Sequence, residues 1–369
     1  DMAVYRNFMA LDVERDFIEP LSAYSAEDGD ETRELERGIF VGTGKLLDSA
    51  VGMADYARDE EVIRRKDKLV EALLRQQKES GYIGVYPDSP ERVPLFSEFS
   101  LHDAVFMIVG LVRNYERFGH EPSLRGAERL ARYIMSRWSR RPASPVFTSL
   151  GIHEAFMGLY RACGDRAYLA FINREATGKQ WTIQPASLLD WRQDLWKGGH
   201  SDRNAPDGGQ AAERHAIVHV YRLFERCMAQ LMMHAVAPDP RLTVMPFRVA
   251  AELAHPDRTG MLVTGACGKW EGWEDTQVCT GKIGETCATV YGIRFLNQML
   301  QLTGDFRYGD IMERMIYNAL FCAQEPAGRR LRYFNPPSGK REYYRRDTYC
   351  CPCNFRRGMI RLPEYVYYG

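Results

Sequence analysis

This chain of 369 residues has no excess of either charge: Lys plus Arg and Asp plus Glu come to 49 each. A surface without net charge has no general attraction for polyanions, so nucleic acid and anionic membranes are not expected partners. Long hydrophobic runs are also lacking. The apolar stretch "VFMIVGLV" covers only 105–112, well short of the roughly 20 residues a helix needs to cross a bilayer. The opening "DMAVYRNF" has neither the charged nor the apolar segment of an export signal. The expectation is a soluble chain whose signal is absent or already removed, with cytoplasmic or periplasmic location left open. No Pro-, Gly- or Ser-rich linker divides the sequence, which reads as one catalytic domain over 1–369. A disulfide scaffold is not expected either: the nine cysteines are odd in number, and Cys350 and Cys351 are adjacent, a poor geometry for bonding each other.

Helical periodicity is abundant, and strand signals are few and short. Apolar residues recur at three- and four-residue spacing in "EEVIRRKDKLVEALLRQQ" (60–77), "RGAERLARYIMSRW" (125–138) and "ATVYGIRFLNQMLQLTG" (288–304). A loose unit repeats: a helix, a Gly followed by Asp or His, then a second helix. Gly119, Gly164 and Gly304 stand where helix C-caps belong, and "MADYARDEEVIRRKDKLV" fits the unit without the glycine. Helix pairs need neighbours to bury their faces. Their irregular spacing, with a long insertion over 179–210, favours a closed ring over a solenoid. The expected fold is therefore all-α, an (α/α)6 barrel with little β structure. The β-prone end "LPEYVYYG" leads to the expectation that a following β-rich segment is absent.

Seven of the nine cysteines lie in the last 103 residues, which favours metal binding or catalysis over stapling. In "GETCATVYG", Glu285 and Cys287 stand at a helix start, where free N–H groups favour anions. With Cys350 and Cys351 of "TYCCPCNFRR" they make a candidate set of three sulfurs and one oxygen, suited to zinc. The competing reading is a helix-start acid and a small buried thiol. Cys353 is either a further sulfur ligand or a packed thiol. The loop "TGACGKWEGWEDTQVCTGKIGE" sets Glu271 and Glu274 among Trp270 and Trp273. Carboxylates beside indoles suit proton transfer and sugar stacking, and an exposed acidic loop is the alternative. His102, His153 and His215 each stand at the start of a helix expected to line the inner ring, as if to hold a polyhydroxylated ligand. His215 and His219 are four apart, but no Glu stands between them as in the HExxH metal signature.

From about Gly38 to Tyr368 the sequence resembles glycoside hydrolase family 127, whose named activity is β-L-arabinofuranosidase. The resemblance is carried by "GKLLDSA", "LLRQQKESGYIGVY", "LHDAVFMIVGLVRNY", "GIHEAFMGLYRACGDRAYL", "ERHAIVHVYRLF", "TGACGKWEGWEDTQ", "GETCATV", "LTGDFRYGDIMERMIYNAL" and "CCPCNFRR". It implies an (α/α)6 barrel, usually followed by β-domains that are not expected within these 369 residues, and a zinc site on Glu285, Cys287, Cys350 and Cys351. It also implies Cys350 as nucleophile, Glu271 as acid/base with Glu274 left open, and sugar contacts from His102, His153 and His215. Two departures stand out: Cys353 where relatives have a second Pro, and the Trp-rich loop.

The expected function is a retaining exo-glycosidase acting on carbohydrate of plant type, in a form compatible with a homodimer. Two other readings stay open: a sugar epimerase or isomerase on the same barrel with histidine bases, and a non-catalytic, zinc-stabilised glycan-binding protein.

Overall fold

In the computed structural model the described residues are 1–22, 42–84, 98–138, 151–176, 219–254, 261–273 and 279–366. Eleven helices of ten or more residues are present among them: α1 Thr43–Ala57, α2 Glu60–Gln76, α3 Glu98–Phe118, α4 Glu121–Trp138, α5 Ile152–Cys163, α6 Arg166–Ala176, α7 Val220–Val236, α8 Arg241–Ala254, α9 Thr286–Thr303, α10 Phe306–Met315 and α11 Cys350–Met359. Short helical turns run through Met2–Asn7, Phe8–Ala10, Glu14–Ile18 and Glu19–Ser22.

Burial sorts the helices into two layers. In α2 the buried side chains are Val62, Lys66, Leu69, Val70, Ala72 and Leu73, a single stripe, and the charged residues cover the other side. In α9 every residue from Thr286 to Leu296 is buried. A helix apolar all round can only be interior, whereas a striped one closes over it. The odd-numbered helices are the interior ones. α1 packs on α3, α3 on α5, α5 on α7, α7 on α9, α9 on α11, and α11 returns to α1. Each even-numbered helix packs on the interior helix before it. Six interior helices in a closed ring with an antiparallel outer layer make the expected (α/α)6 barrel. The N-terminal turns tie to the first and last interior helices: Thr43 Oγ1 donates to Phe17 O at 3.3 Å, and Asn7 Oδ1 accepts from Arg356 Nε at 2.7 Å.

Local chemistry explains the hairpins. Asp59 caps α2 by accepting from the backbone of Glu61 and Val62, and Asp305 caps α10 from Arg307. Gly119, Gly164 and Gly304 all have φ between 65° and 75° and end α3, α5 and α9, as their positions in the sequence imply. At the end of α1, where the unit lacks its glycine, Arg58 takes the left-handed conformation at φ 52°. Two interior glycines set the spacing of α1 and α3. A Cβ on Gly44 would lie 2.4 Å from Met107 N, and one on Gly110 2.8 Å from Asp48 N.

The interior of the ring is sealed by charge as well as by apolar packing. Asp48 on α1 meets Arg357 Nε of α11 at 2.6 Å and Arg113 Nε of α3 at 2.7 Å. Arg357 also donates from Nη2 to Glu154 of α5 at 3.1 Å and from Nη1 to Tyr291 of α9 at 2.9 Å. Arg294 Nη2 adds a 2.6 Å contact to Glu154. Burial alone would raise both carboxyls, but the guanidiniums outweigh it and hold Asp48 and Glu154 below the usual carboxylate range. Strand pairing among the described residues is limited to isolated bridges such as Glu285 with Phe334. No helix among them is long and apolar enough to cross a membrane.

Breaking one partner of such a network leaves buried charges without compensation, which typically costs about 3–5 kcal/mol. Arg357→Met is expected to lose that much stability in urea melts at pH 7. The deficit should shrink below about pH 4, where the abandoned carboxylates can protonate. A loss under about 1 kcal/mol at pH 7 would show that the network does not hold the ring.

Candidate active site

The six interior helices present their N-termini to the same end of the ring, where free N–H groups and helix dipoles favour anions. Cys350 and Cys351 are the first two residues of α11, Glu285 immediately precedes α9, and Cys287 is its second residue. The stretch 331–335 fixes the start of α9. Thr286 N–H donates to Tyr333 O at 2.9 Å, Thr286 Oγ1 donates to Arg332 O at 2.8 Å, and Asn335 Nδ2 donates to Thr286 Oγ1 at 2.9 Å. This brings the Tyr333 ring over the end of the barrel.

Glu271 arrives from a tight turn. Lys269 N–H donates to Gly272 O at 3.0 Å and Gly272 N–H to Lys269 O at 2.9 Å, with Trp270 and Glu271 at φ 49° and 66°. Left-handed backbone in such residues costs of order 1 kcal/mol or more and persists only where neighbours enforce it. Here Trp270 N–H donates to Lys282 O and the first amide of α7, Val220 N–H, donates to Glu271 O, both at 2.9 Å.

The side chains meet at one point. Cys351 Sγ lies 3.1 Å from Cys287 Sγ and 3.5 Å from Glu285 Oε1, and it accepts from Cys287 N–H at 3.4 Å. The sulfur separation is far above the about 2.05 Å of a disulfide, and all three cysteines are free thiols. Asn354 Nδ2 donates to Cys287 Sγ at 3.2 Å. Tyr333 OH donates to Glu271 Oε1 in a short hydrogen bond and sits 3.2 Å from Cys350 Sγ. His219 bridges the carboxylates, with Nε2 3.5 Å from Glu271 and Nδ1 3.9 Å from Glu285.

The charge states follow from this crowding. Hydrogen bonds from Cys287 and Cys351 hold the Cys350 thiol well below its usual range against burial, with Lys45 and Tyr333 assisting. Burial pushes Cys287 and Cys351 well up, and burial with Glu271 and Cys350 nearby pushes Glu285 well up. Four acids this close cannot all ionise unless a cation joins them. Glu285, Cys287, Cys350 and Cys351 are buried, their ligand atoms lie within 4.8 Å of one another, and they could hold a metal ion. Glu285 Oε2 accepts no hydrogen bond among the described residues, as a carboxylate oxygen awaiting a cation would. Burial, Cys350 and Glu271 push Tyr333 well above its ordinary value, so it stays a phenol and a donor.

The expected site residues divide on inspection. Glu271, Glu285, Cys287, Cys350 and Cys351 come together. His102 is adjacent, with Nδ1 3.5 Å from the Tyr221 hydroxyl, and burial lowers its pKa well below the usual value. His153, the second residue of α5, is also buried, and burial lowers its pKa to about 4. Trp270 is half-exposed with Lys282 Nζ 4.0 Å over its ring, whereas Trp273 is 2% exposed and packs edge-on against Phe224, in the core. His215 and Glu274 lie outside the described residues, as does the whole insertion over 179–210. Cys353 resolves as a packed thiol. It donates to Asp347 O at 3.3 Å and to Thr348 O at 3.6 Å, away from the cluster. Sequence reasoning weighed His219 only as a metal partner of His215 and set it aside, and it passed over Tyr333. His219 directly precedes α7, so the pattern of histidines at interior helix starts was the signal that could have found it.

Comparison with known proteins supports the barrel and places the chain in a family. Residues 22–364 match the family model described as β-L-arabinofuranosidase, GH127 catalytic domain. The chain is 23% identical over 362 residues to the non-reducing end β-L-arabinofuranosidase of Bifidobacterium longum subsp. longum, covering 88% of this chain and 54% of that protein. A solved GH127 β-arabinofuranosidase superposes with a TM-score of 0.71 at 18% identity, over 96% of this chain and 56% of that one. A GH127 β-L-arabinofuranosidase from Geobacillus stearothermophilus T6 gives 0.68 at 20% identity, over 96% and 59%. The chain thus spans little more than half the length of these relatives. With the family model matched along nearly its whole length, this chain belongs to the GH127 catalytic-domain family.

Proposed function

We propose that the chain is the catalytic unit of a retaining exo-glycosidase that removes terminal β-L-arabinofuranosyl units from plant-type glycans. The observation that carries this reading is Tyr333, whose hydroxyl contacts both Glu271 and Cys350 and so places a candidate proton donor and a candidate nucleophile around one point. The same activity stands in the names of the relatives.

Most retaining enzymes pair two carboxylates; here a thiolate takes the place of one. Cys350 Sγ attacks the anomeric carbon, and a C–S bond forms as the C–O bond to the leaving group breaks. Glu271, as the acid, gives its proton to the departing oxygen. In the second half Glu271, now a carboxylate, takes a proton from water whose oxygen attacks the same carbon. The C–S bond then breaks and the thiolate returns. Two inversions give net retention. Tyr333 holds the acid oxygen and the sulfur in register, and His219 orients the second oxygen of Glu271. Glu285, Cys287, Cys350 and Cys351 are the residues that would hold zinc, whose tolerance of three thiolates and a carboxylate fits this set. When bound, zinc supplies the positive charge that lets these acids ionise together. His102, His153 and His215 are the histidines proposed to touch the sugar.

Cys350→Ser is expected to reduce turnover of an aryl β-L-arabinofuranoside by at least about a thousandfold, since a hydroxyl is far harder to ionise than this thiol. Near-wild-type rates in a folded Cys350→Ser protein would remove Cys350 from the chemistry. Stripping metal with a chelator is expected to abolish activity and lower the melting temperature, both restored by stoichiometric zinc. A fully active protein with no metal by elemental analysis would rule out the zinc assignment.

A further inference from the structure

One layer beneath the thiol cluster lie buried polar groups, and the proposed reaction gives two of them, Lys45 and Glu225, no contact with the sugar. Lys45, near the start of α1, is fully buried, and its ammonium has no hydrogen-bond partner among the described residues. Both carboxyl oxygens of Glu225 on α7 and Nε2 of His102 on α3 are likewise buried and unpartnered among those residues. The three surround the ring of Phe106: Lys45 Nζ is 4.7 Å from its centroid, and the His102 ring is 5.0 Å away. A Cβ on Gly151 would meet that ring at 2.8 Å and Glu225 Oε1 at 3.1 Å. The Tyr221 ring, 5.7 Å from Lys45 Nζ, separates the group from His219 at 4.4 Å and so from Glu271.

Buried polar atoms without partners cost about 1–3 kcal/mol each, and native proteins keep few of them without a use. Their chemistry is mixed. An ammonium only donates, a neutral imidazole nitrogen accepts, and Glu225, pushed up to about 8 by burial, stays a carboxylic acid at neutral pH that both donates and accepts. A carboxylate ligand would satisfy Lys45 and leave the acceptors unpaired, whereas a hydroxyl serves both kinds. We infer that Lys45 and Glu225, with His102, form the floor of the sugar pocket and select a neutral, polyhydroxylated glycone by hydrogen-bonding the hydroxyls farthest from its anomeric carbon. The inference rests on the reading of this end of the barrel as a glycosidase site and adds the residues that choose the sugar.

The test is calorimetric binding of free L-arabinose, with D-galacturonate as the acidic comparison, to the metal-loaded protein and to Lys45→Met, Glu225→Leu and Glu225→Gln. Lys45→Met and Glu225→Leu should each weaken L-arabinose binding at least about tenfold. Their melting temperature should be equal to wild type or higher, because an apolar group replaces an unpaired polar one, and their metal content should not change. Glu225→Gln, which keeps a donor and an acceptor, should stay within about threefold of wild type. If Glu225→Leu fails to fold, Lys45→Met decides. Unchanged affinity in the folded variants, tighter binding of the uronate than of arabinose, or no sugar binding by the wild type would each overturn the inference. Sugar binding lost in the variants of a protein that cleaves no glycoside would sink the glycosidase reading and leave this one standing. Cleavage with unaltered KM in both variants would do the reverse.

Discussion

Arg357 is the residue on which the barrel depends. It sits on the last interior helix, yet its guanidinium reaches Asp48 on the first, Glu154 on the third and Tyr291 on the fifth, and it lies 4.4 Å over the ring of Phe106 on the second. A planar cation with five donors can serve several partners at once, which an ammonium cannot do with the same geometry. The consequence is directional as well as energetic. Apolar packing would tolerate small slips of one helix against another, whereas these contacts set the depth of α11 relative to α1, α5 and α9.

That depth matters because the cysteines lie two turns earlier on the same helix. Cys350 and Cys351 can meet Cys287 and Glu285 only if α9 and α11 begin at one level, and Arg357 with Tyr291 sets that level from inside. Glu271 is delivered by a different device, a turn in left-handed backbone tied to the first amide of α7. The site is thus assembled from two rigid helix starts and one strained turn. The helices keep the sulfurs and Glu285 fixed, and the turn brings the carboxyl of Glu271 to Tyr333.

Much of this was legible in the residues. Gly119, Gly164 and Gly304 announced three helix ends, the apolar spacing of 60–77 announced a helix, and the paired cysteines with the Glu-Thr-Cys element announced the cluster. Trp273 shows where such reading stops. Its neighbours are those of a sugar-facing loop, but two residues after Glu271 the chain has turned inward and the indole packs on Phe224. Tyr333 lay in a stretch without periodicity, and its place depends on backbone bonds to residues some fifty positions earlier, which no local pattern encodes.

The sequence by itself determined the all-helical pairing, several of the helix ends, and the identity of the acids that gather at the ring's end. Those properties follow from periodicity, capping and side-chain chemistry, which act over a few neighbouring residues. Only the tertiary structure decided which histidine reaches Glu271, that Cys353 turns to backbone carbonyls, and that Lys45 and Glu225 lie buried beneath the cluster. These depend on how α1, α7 and α11 come together across more than three hundred residues. Contacts of that range are set by the closure of the ring as a whole.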